Sequence, residues 1–413
     1  METKKLVIFG FGQRGRGYAN FAKNNPDKFN VVAIIETDAG RREMAKNEYP
    51  SAAIYSDYKK FIADKIAADI VAVCTQDDQH KEHSIAMMAA GYDLLLEKPI
   101  ANNEKDCLDI YNASVLYKSK VIVCHVLRYS PFYAAIKRAI DSGELGEVIT
   151  INASENVGYY HQAHSFVRGP WHNKEQSSPM ILAKCCHDMD ILRYLMGEKC
   201  LSVNSYGSLF YFNREHAPEG CAEYCSECKY KDTCIWNAQK LYTSDDSRGF
   251  IGYFSLNFDN DEKMLEDLKG SAYDKCVFKN DNDVVDHEVT IMQFEKGKTA
   301  CHTMTAFSKR VYRDIKVHGT KAELYGLMED NAYEIRYFGG ETKKFTIDLT
   351  GVNAGIHNGG DYCMMTSVYN NLNGERAEGV TYLDVSIESH LMCFAAEESR
   401  LNGGKTVEIK KEN

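Results

Sequence analysis

Short apolar runs alternate with helix-length segments over the first 126 residues of the chain. The runs are KLVIFG (5–10), NVVAIIE (30–36), DIVAVCT (69–75), YDLLLEKP (92–99) and KVIVCHV (120–126). The segments between them cover about 15–24, 39–48, 57–65, 79–90 and 104–118. Strands that are buried on both faces of a sheet have such nearly continuous apolar sequences. The alternation therefore predicts an α/β fold with a doubly wound parallel sheet and right-handed crossovers.

The first predicted strand ends in a glycine-rich turn, GFGQRG, at residues 10–15. A G-x-G-x-x-G pattern alone is weak, but a strand precedes this one, a helix follows it, and Glu36 ends the next strand. Such glycines let a dinucleotide pyrophosphate approach the helix N-terminus, and the predicted contacts are Gly10, Gly12, Arg14 and Gly15. The carboxylate of Glu36 would accept hydrogen bonds from ribose hydroxyls and repel a 2′-phosphate. This favours NAD over NADP, although Arg41 and Arg42 weaken the preference.

The bulk composition restricts the partners of the chain. Its 413 residues are enough for two domains, and its formal net charge of −10 argues against nucleic acid or an anionic membrane surface as partner. No apolar stretch is long enough to span a bilayer, and the N-terminus lacks the apolar region of a signal peptide. We therefore expect a cytoplasmic protein. Its 14 cysteines are expected to be thiols or metal ligands rather than disulfides.

Several short motifs, spread over nearly the whole chain, resemble a single family. They are His80 after a polar turn, Glu97-Lys98-Pro99, LRYSPFY (127–133), SGELGEV (142–148), CCHDMDIL (185–192) and SIESHLMCFAAEESRLNGG (386–404). Each motif is short, but the combination is specific. On these motifs the chain resembles the Gfo/Idh/MocA oxidoreductases.

The resemblance implies two domains. Residues 1–125 would form an NAD(P)-binding Rossmann domain, and residues 126–413 a substrate-binding and oligomerisation domain of the α/β class on a large, mostly antiparallel open sheet. The alternating, hairpin-like segments 288–307 and 313–326 agree with such a sheet. Relatives commonly use the open sheet face to form dimers or tetramers, so we expect a homo-oligomer.

The resemblance also implies the catalytic residues. Lys98 matches a lysine between nicotinamide and substrate, where burial beside a cationic ring would favour its neutral form and a role as general base. His187 and Asp190 match an H-x-x-D motif whose spacing places both on one helix face. His187 would take the hydroxyl proton while hydride leaves, and Asp190 would orient the ring or bind a sugar hydroxyl. Further cofactor contacts are expected from Thr75, His80, Glu97 and Lys98.

One position differs from the residue that many members of the family have there. These members carry an acidic residue four positions before the histidine that corresponds to His187. Here that position is Ala183, followed by Lys184 one helical turn before His187. Lys184 could bind an anionic group, take a proton from carbon, or simply reach solvent. The candidate contacts to a polyhydroxylated substrate are Arg128, Tyr160, His164, Arg168 and Trp171. The HNGGDY segment (357–362) could form a loop that closes on a ligand.

A dense cysteine segment, CAEYCSECKYKDTC (221–234), lies in an insertion near residues 215–240. Its cysteines are Cys221, Cys225, Cys228 and Cys234. One interpretation is a structural site in which four thiolates hold Zn²⁺ and order a polar insertion. The alternatives are an iron–sulfur cluster and plain thiols or a disulfide. Cys276 is a further thiol that could replace one ligand.

Three functions from different classes are compatible with these expectations. The first is an NAD-dependent dehydrogenase acting on a secondary alcohol of a sugar, glycoside or cyclic polyol, with Lys98 and His187 managing the proton. The second is an NAD-dependent glycoside hydrolase without net redox change, in which Lys184, Tyr160 or His164 removes a proton from carbon. The third is a dinucleotide-binding regulator, which would not need these proton-transfer groups.

Overall fold

Residues 2–353, 357–375 and 377–409 are described by a computed structural model. Contacts divide the chain into two compact units. The first unit consists of residues 1–150, 189–200 and 317–394, and the second of residues 151–188, 201–316 and 395–413. Within the described ranges, no helix has both the length and the apolar character needed to cross a membrane.

The strands are β1 (Lys4–Phe9), β2 (Phe29–Ile35), β3 (Ala53–Tyr55), β4 (Ile70–Val73), β5 (Leu94–Leu96), β6 (Val121–Val123), β7 (Val148–Asn156), β8 (Cys200–Ser208), β9 (His287–Phe294), β10 (Thr299–Thr305), β11 (Tyr312–Gly319), β12 (Ala322–Leu327), β13 (Ala332–Tyr337), β14 (Thr342–Thr346) and β15 (Val407–Glu408). The α-helices are α1 (Gln13–Asn24), α2 (Ala39–Glu48), α3 (Tyr58–Ala63), α4 (His80–Ala89), α5 (Glu104–Tyr117), α6 (Pro131–Asp141), α7 (Tyr159–His161), α8 (Met180–Ala183), α9 (Cys186–Met196), α10 (Ala238–Tyr242), α11 (Asp261–Leu268), α12 (Gly360–Leu372) and α13 (Leu383–Leu401). A π-helix spans Gln162–Arg168.

The six-stranded sheet has the strand order β3-β2-β1-β4-β5-β6, and all of its pairs are parallel. In this order the chain starts near the centre and winds outwards in both directions, as in dinucleotide-binding folds. The doubly wound parallel sheet expected from the sequence is confirmed, and five of its strands match the predicted apolar runs. The sixth, β3, has only three residues between polar neighbours, so it leaves no apolar run in the sequence.

Three helices of this sheet, α2, α3 and α5, begin at short polar side chains. Asp38 accepts a hydrogen bond from the backbone N–H of Arg41 at the start of α2, and Asn103 accepts one from that of Asp106 at the start of α5. Such caps satisfy donors that have no partner in the first helical turn. The predicted helices α1 to α5 are confirmed, with ends within two residues of those expected.

The nine-stranded sheet has the order β14-β13-β12-β11-β7-β10-β9-β8-β15. β9 and β10 form the predicted antiparallel hairpin, in register from Thr299 opposite Gln293 to Thr305 opposite His287. Alternate residues of β9 are buried, whereas Val289 and Ile291 on the other face are exposed. One face of the sheet is therefore packed and the other open, as is usual for antiparallel sheets. The expected large, mostly antiparallel open sheet is confirmed.

Candidate active site

The glycine-rich turn between β1 and α1 has the geometry that a dinucleotide requires. Gly10 has a φ of +94°, and a Cβ atom on it would lie 2.6 Å from the carbonyl oxygen of Cys74. A Cβ atom on Gly15 would lie 2.0 Å from the carbonyl oxygen of Gly10. Apart from its chain neighbours, no described residue has an atom within 4 Å of the Cβ position of Gly12, so its backbone is open to a phosphate. The turn therefore fits the pyrophosphate of NAD.

Replacing Gly15 with alanine is expected to abolish NAD binding, because the methyl group overlaps the backbone oxygen of Gly10. Gly17 lies in the same helix and has no described atom within 4 Å of its Cβ position, so Gly17→Ala is the matched control. We expect the control to keep its NAD affinity within a few-fold and to gain about 0.5–1 kcal/mol of stability from the better helix former. Calorimetric titration with NAD checks both variants, and equal affinities would contradict the tight packing at Gly15.

The carboxylate of Glu36 lies directly after β2 and holds the glycine-rich turn. It accepts hydrogen bonds from the backbone N–H groups of Phe11 (2.8 Å) and Asp38 (2.9 Å). The guanidinium of Arg41 lies 3.9 Å from it, and Arg42 donates to the backbone carbonyl of Glu36. The acid is thus fixed beside the turn, and its contact with ribose hydroxyls stays a prediction.

Arg14 connects the glycine-rich turn to the residue that precedes Lys98. Its Nε atom donates to Glu97 at 2.7 Å, and Tyr18 donates a short hydrogen bond to the same Glu97 oxygen. Burial alone would raise the pKa of the Glu97 carboxyl, but the charge of Arg14 and the hydrogen bond from Tyr18 hold that pKa below its ordinary value. Glu97 is therefore an anion that fixes the start of the Lys98 segment.

The HNGGDY segment also contacts Arg14. The Nη2 atom of Arg14 donates to Asp361 at 2.6 Å, and the Nδ1 atom of His357 lies 2.7 Å from the other oxygen of that carboxylate. These contacts place Asp361, near the start of α12, against the side chain of the dinucleotide turn. The sequence gives no sign of this pairing, because it joins residues 347 positions apart.

Lys98 follows β5 and is half-buried. Fully buried His80 braces this segment, with its ring nitrogens 2.8 Å from the carbonyl oxygen of Pro99 and 3.2 Å from that of Thr75. The Nε2 atom of His390 accepts a hydrogen bond of 2.9 Å from the backbone N–H of Ile100. His80, predicted as a cofactor contact, thus holds the backbone that carries Lys98.

Asp190 forms a buried pair with Arg128. The Nε and Nη2 atoms of Arg128 both donate to its carboxylate at 2.6 Å, and the two side chains are 1% and 5% exposed. The Nε2 atom of His125 lies 3.7 Å from the same carboxylate, and burial lowers the pKa of His125 to about 4. Arg128 was a predicted substrate contact and Asp190 a predicted partner of His187 or the substrate. Both oxygens of Asp190 accept hydrogen bonds from Arg128, and the predicted contacts of the two residues with substrate or His187 stay predictions.

The second unit contains His187 and Lys184. His187 is buried in α9, which confirms that the H-x-x-D motif is helical. The Nζ atom of Lys184 lies 3.3 Å from the fully buried carboxylate of Glu155, and Arg313 links Glu155 (2.5 Å) to Asp188 (2.8 Å). Two carboxylates and two cations are thus brought together in one buried ion-pair cluster that includes Lys184. Sequence patterns missed Glu155 and Arg313 because they lie on strands that are far apart in the sequence, although β7 and β11 are neighbours in the sheet.

A buried set next to this cluster could in principle hold a metal ion. Cys185, Asp188 and His302 have ligand atoms within 4.8 Å of one another, the one such set among the residues that the structure describes. However, Arg313 lies 2.8 and 3.4 Å from the two oxygens of Asp188, so an ion would have to displace or face a guanidinium. Burial also raises the pKa of the Cys185 thiol well above its ordinary value. We therefore interpret this set as a buried polar cluster.

The remaining predicted substrate contacts lie on or near the π-helix. Tyr160 and Trp171 are half-buried. The ring of His164 is stacked between those of Phe250 and Tyr273, with centroid distances of 4.4 and 4.8 Å. Burial lowers the pKa of His164 to about 3, so its imidazole is neutral. A neutral, enclosed imidazole is suited to packing and hydrogen bonding.

Two sequence profiles of one oxidoreductase family match the chain. Residues 4–125 match its NAD-binding Rossmann fold, and residues 137–384 match its C-terminal alpha/beta domain. YteT of Bacillus subtilis (strain 168), named as an oxidoreductase, is 24% identical over 393 residues, which cover 88% of this chain and 88% of YteT. Inositol 2-dehydrogenase 2 of Saccharopolyspora erythraea is 27% identical over 206 residues, which cover 49% of this chain and 57% of that protein.

Solved structures share the fold over the full length. Levoglucosan dehydrogenase in complex with NADH and levoglucosan has a TM-score of 0.71 at 17% identity, covering 99% of this chain and 100% of that chain. The WlbA dehydrogenase of Chromobacterium violaceum, in complex with NADH and UDP-GlcNAcA, has a TM-score of 0.69 at 15% identity, covering 100% and 98%. At such identities the likeness shows the fold alone, whereas the profile matches show the family. The chain belongs to the Gfo/Idh/MocA oxidoreductase family, with an NAD-binding Rossmann fold.

Proposed function

We propose that this chain is an NAD-dependent oxidoreductase that removes a hydride from a secondary alcohol of a sugar, glycoside or cyclic polyol. The observation that carries the proposal is the ion pair between Arg14 and Glu97, at 2.7 Å. This ion pair connects the glycine-rich turn to Glu97, the residue before Lys98. A lysine that is held beside a dinucleotide site is suited to bind the hydroxyl group that reacts. The names of relatives, inositol 2-dehydrogenase and levoglucosan dehydrogenase, support the substrate class.

The residues have separate roles in this proposal. NAD supplies the hydride acceptor when it is bound. Lys98 holds the substrate hydroxyl and accepts its proton, and His187 is the second proton-transfer group. The negative charge of Glu36 disfavours a 2′-phosphate, so NAD is preferred to NADP. Tyr160 and Trp171 are proposed to contact the sugar ring.

The other two functions have weaker support. A redox-neutral glycosidase needs a base for a carbon acid, and the proposed bases are Lys184, Tyr160 and His164. Lys184 is paired with Glu155 at 3.3 Å, His164 is a neutral ring between two aromatic side chains, and burial raises the pKa of Tyr160. A non-catalytic regulator would not need a lysine held as Lys98 is. The dehydrogenase is therefore the function that we favour.

One experiment separates the three functions. The purified protein would be mixed with NAD⁺ and a panel of free sugars, inositols and chromogenic glycosides, and NADH absorbance and aglycone release would be followed together. We expect NADH to accumulate with at least one sugar or polyol. Aglycone release without NADH would overturn the dehydrogenase in favour of the glycosidase, and tight NAD binding with neither product would favour the regulator.

We further propose that the open face of the nine-stranded sheet forms a homodimer or homotetramer. Ile291 of β9 is 51% exposed and Tyr206 of neighbouring β8 is 60% exposed, so apolar side chains are clustered on this face. The Ile291→Glu variant is expected to lower the mass measured by light scattering to that of a monomer. Leu256→Glu is the control, because Leu256 is 84% exposed outside the sheet. An unchanged mass for Ile291→Glu would place the interface elsewhere.

Two further expectations remain proposals. Among the described residues no disulfide joins any of the 14 cysteines, which is compatible with a cytoplasmic protein. A structural Zn²⁺ at Cys221, Cys225, Cys228 and Cys234 would stabilise the insertion without taking part in hydride transfer.

A further inference from the structure

The cysteine segment contacts a buried cation. Arg168, at the end of the π-helix, is 3% exposed. Its Nε atom donates to the carbonyl oxygen of Lys275, and its Nη2 atom donates to that of Trp236, both at 2.7 Å. The same Nη2 atom lies 3.5 Å from the Sγ atom of Cys225. Among the residues that the structure describes, no carboxylate forms an ion pair with Arg168.

A guanidinium without a counter-charge is costly to bury, because desolvation is not offset by an attractive partner. The side-chain atom that the Nη2 atom of Arg168 contacts is the sulfur of Cys225, at 3.5 Å. A thiol that coordinates a metal ion is deprotonated outright, so a bound ion would place a thiolate beside the guanidinium. Four thiolates around Zn²⁺ carry a net charge of −2, which Arg168 would partly neutralise.

The backbone of the segment is already held in place. The fully buried carboxylate of Asp274 accepts hydrogen bonds from the backbone N–H (3.0 Å) and the hydroxyl (2.5 Å) of Ser226. Asn237 donates to the carbonyl oxygen of Cys225 at 3.2 Å, and Cys276 donates its backbone N–H to Glu223 at 2.8 Å. Such outer contacts orient metal ligands before the ion binds. The loop that carries Cys225 and Cys228 is therefore fixed by residues other than its cysteines.

We propose that Cys221, Cys225, Cys228 and Cys234 bind one Zn²⁺ ion as thiolates, and that Arg168 is the buried counter-charge and hydrogen-bond donor of this site. Arg168 then positions a metal ligand instead of contacting substrate as its sequence context predicted. In the structure no three of these sulfur atoms lie within 4.8 Å of one another, so the ion has to draw the side chains together. Cys228 and Cys234 are half-buried, which leaves the ion a route of entry.

The metal content of the purified chain tests the proposal independently of any enzymatic activity. We expect one zinc per chain by elemental analysis, and Co²⁺ replacement is expected to give the charge-transfer and ligand-field bands of a tetrahedral thiolate site. Cys228→Ser, at a half-buried turn position where folding is least disturbed, is expected to lose the metal. Cys276→Ser is the matched control, because this buried thiol lies beside the segment without being a proposed ligand.

The variant Arg168→Gln tests whether the positive charge of Arg168 stabilises the metal site or whether Arg168 only supports the fold. We expect its Zn²⁺ affinity, measured by competition with a chromophoric chelator, to fall by about 10- to 100-fold while its circular dichroism is unchanged. Unchanged affinity would overturn the role of Arg168, and loss of metal in Cys276→Ser would overturn the ligand set. Iron with visible absorption, or a chain that binds neither Zn²⁺ nor Co²⁺, would overturn the zinc site itself.

Discussion

Replacing Lys98 with methionine is expected to lower kcat by about 10²- to 10⁴-fold, the usual contribution of one positioned proton-transfer group. The expectation rests on how the structure fixes this residue. Glu97 before it is held by Arg14 and Tyr18, and Pro99 after it is held by His80. None of these contacts uses the Lys98 side chain, so the variant is expected to fold and to bind NAD within a few-fold of the original affinity.

The measurement is the steady-state formation of NADH with the substrate that the sugar and polyol panel identifies. Lys105→Met is the control, because Lys105 lies on α5 with its side chain 78% exposed and paired to Asp109. We expect this control to keep full activity. If Lys98→Met kept kcat within five-fold, Lys98 would not be the proton acceptor, and the regulator would become the better interpretation.

The sequence predicted those parts of the molecule whose causes are local. α1 to α5 follow from apolar spacing and caps such as Asp38, and β1 follows from a continuous apolar run before Gly10. The strand β3 was missed because its three residues lie among polar neighbours. The hairpin of β9 and β10 was predicted because alternation and a turn at Glu295–Gly297 are visible in a short window.

The partners of the site residues could not be predicted in the same way. Arg14 contacts Asp361, which is 347 positions away in the sequence, and Arg128 contacts Asp190, which is 62 positions away. Lys184 forms an ion pair with Glu155 on β7. Each pair is created by the tertiary fold, and no spacing rule connects its members. Motif matches therefore predict which residues bear the chemistry, whereas the fold decides which of them are bound to each other. Arg128 shows the difference, since its Nε and Nη2 atoms donate to Asp190, a carboxylate for which the motif predicted another role.

Three buried histidines are expected to make the chain labile in mild acid. Burial lowers the pKa of His125 to about 4, that of His164 to about 3 and that of His390 to about 3. In the unfolded chain each would titrate near 6.5, so between about pH 6.5 and 5 the unfolded state binds more protons than the folded state. Stability therefore falls as the pH falls through this window, by about 1.4 kcal/mol per histidine for each pH unit.

One buried acid opposes this trend. Burial raises the pKa of the Glu288 carboxyl to about 7, so in the same window the folded state binds a proton that the unfolded state does not, and stability rises as the pH falls. Burial also lowers the pKa of His302, so the histidines outnumber this acid and a net loss of roughly 3–5 kcal/mol is expected between pH 6.5 and 5. Urea unfolding at pH 7, 6 and 5 measures this change in the free energy of unfolding. His164→Phe, which keeps a ring between Phe250 and Tyr273, is expected to flatten the dependence and Glu288→Gln to steepen it. A stability that stays constant from pH 7 to 5 would mean that these histidines accept protons in the folded chain.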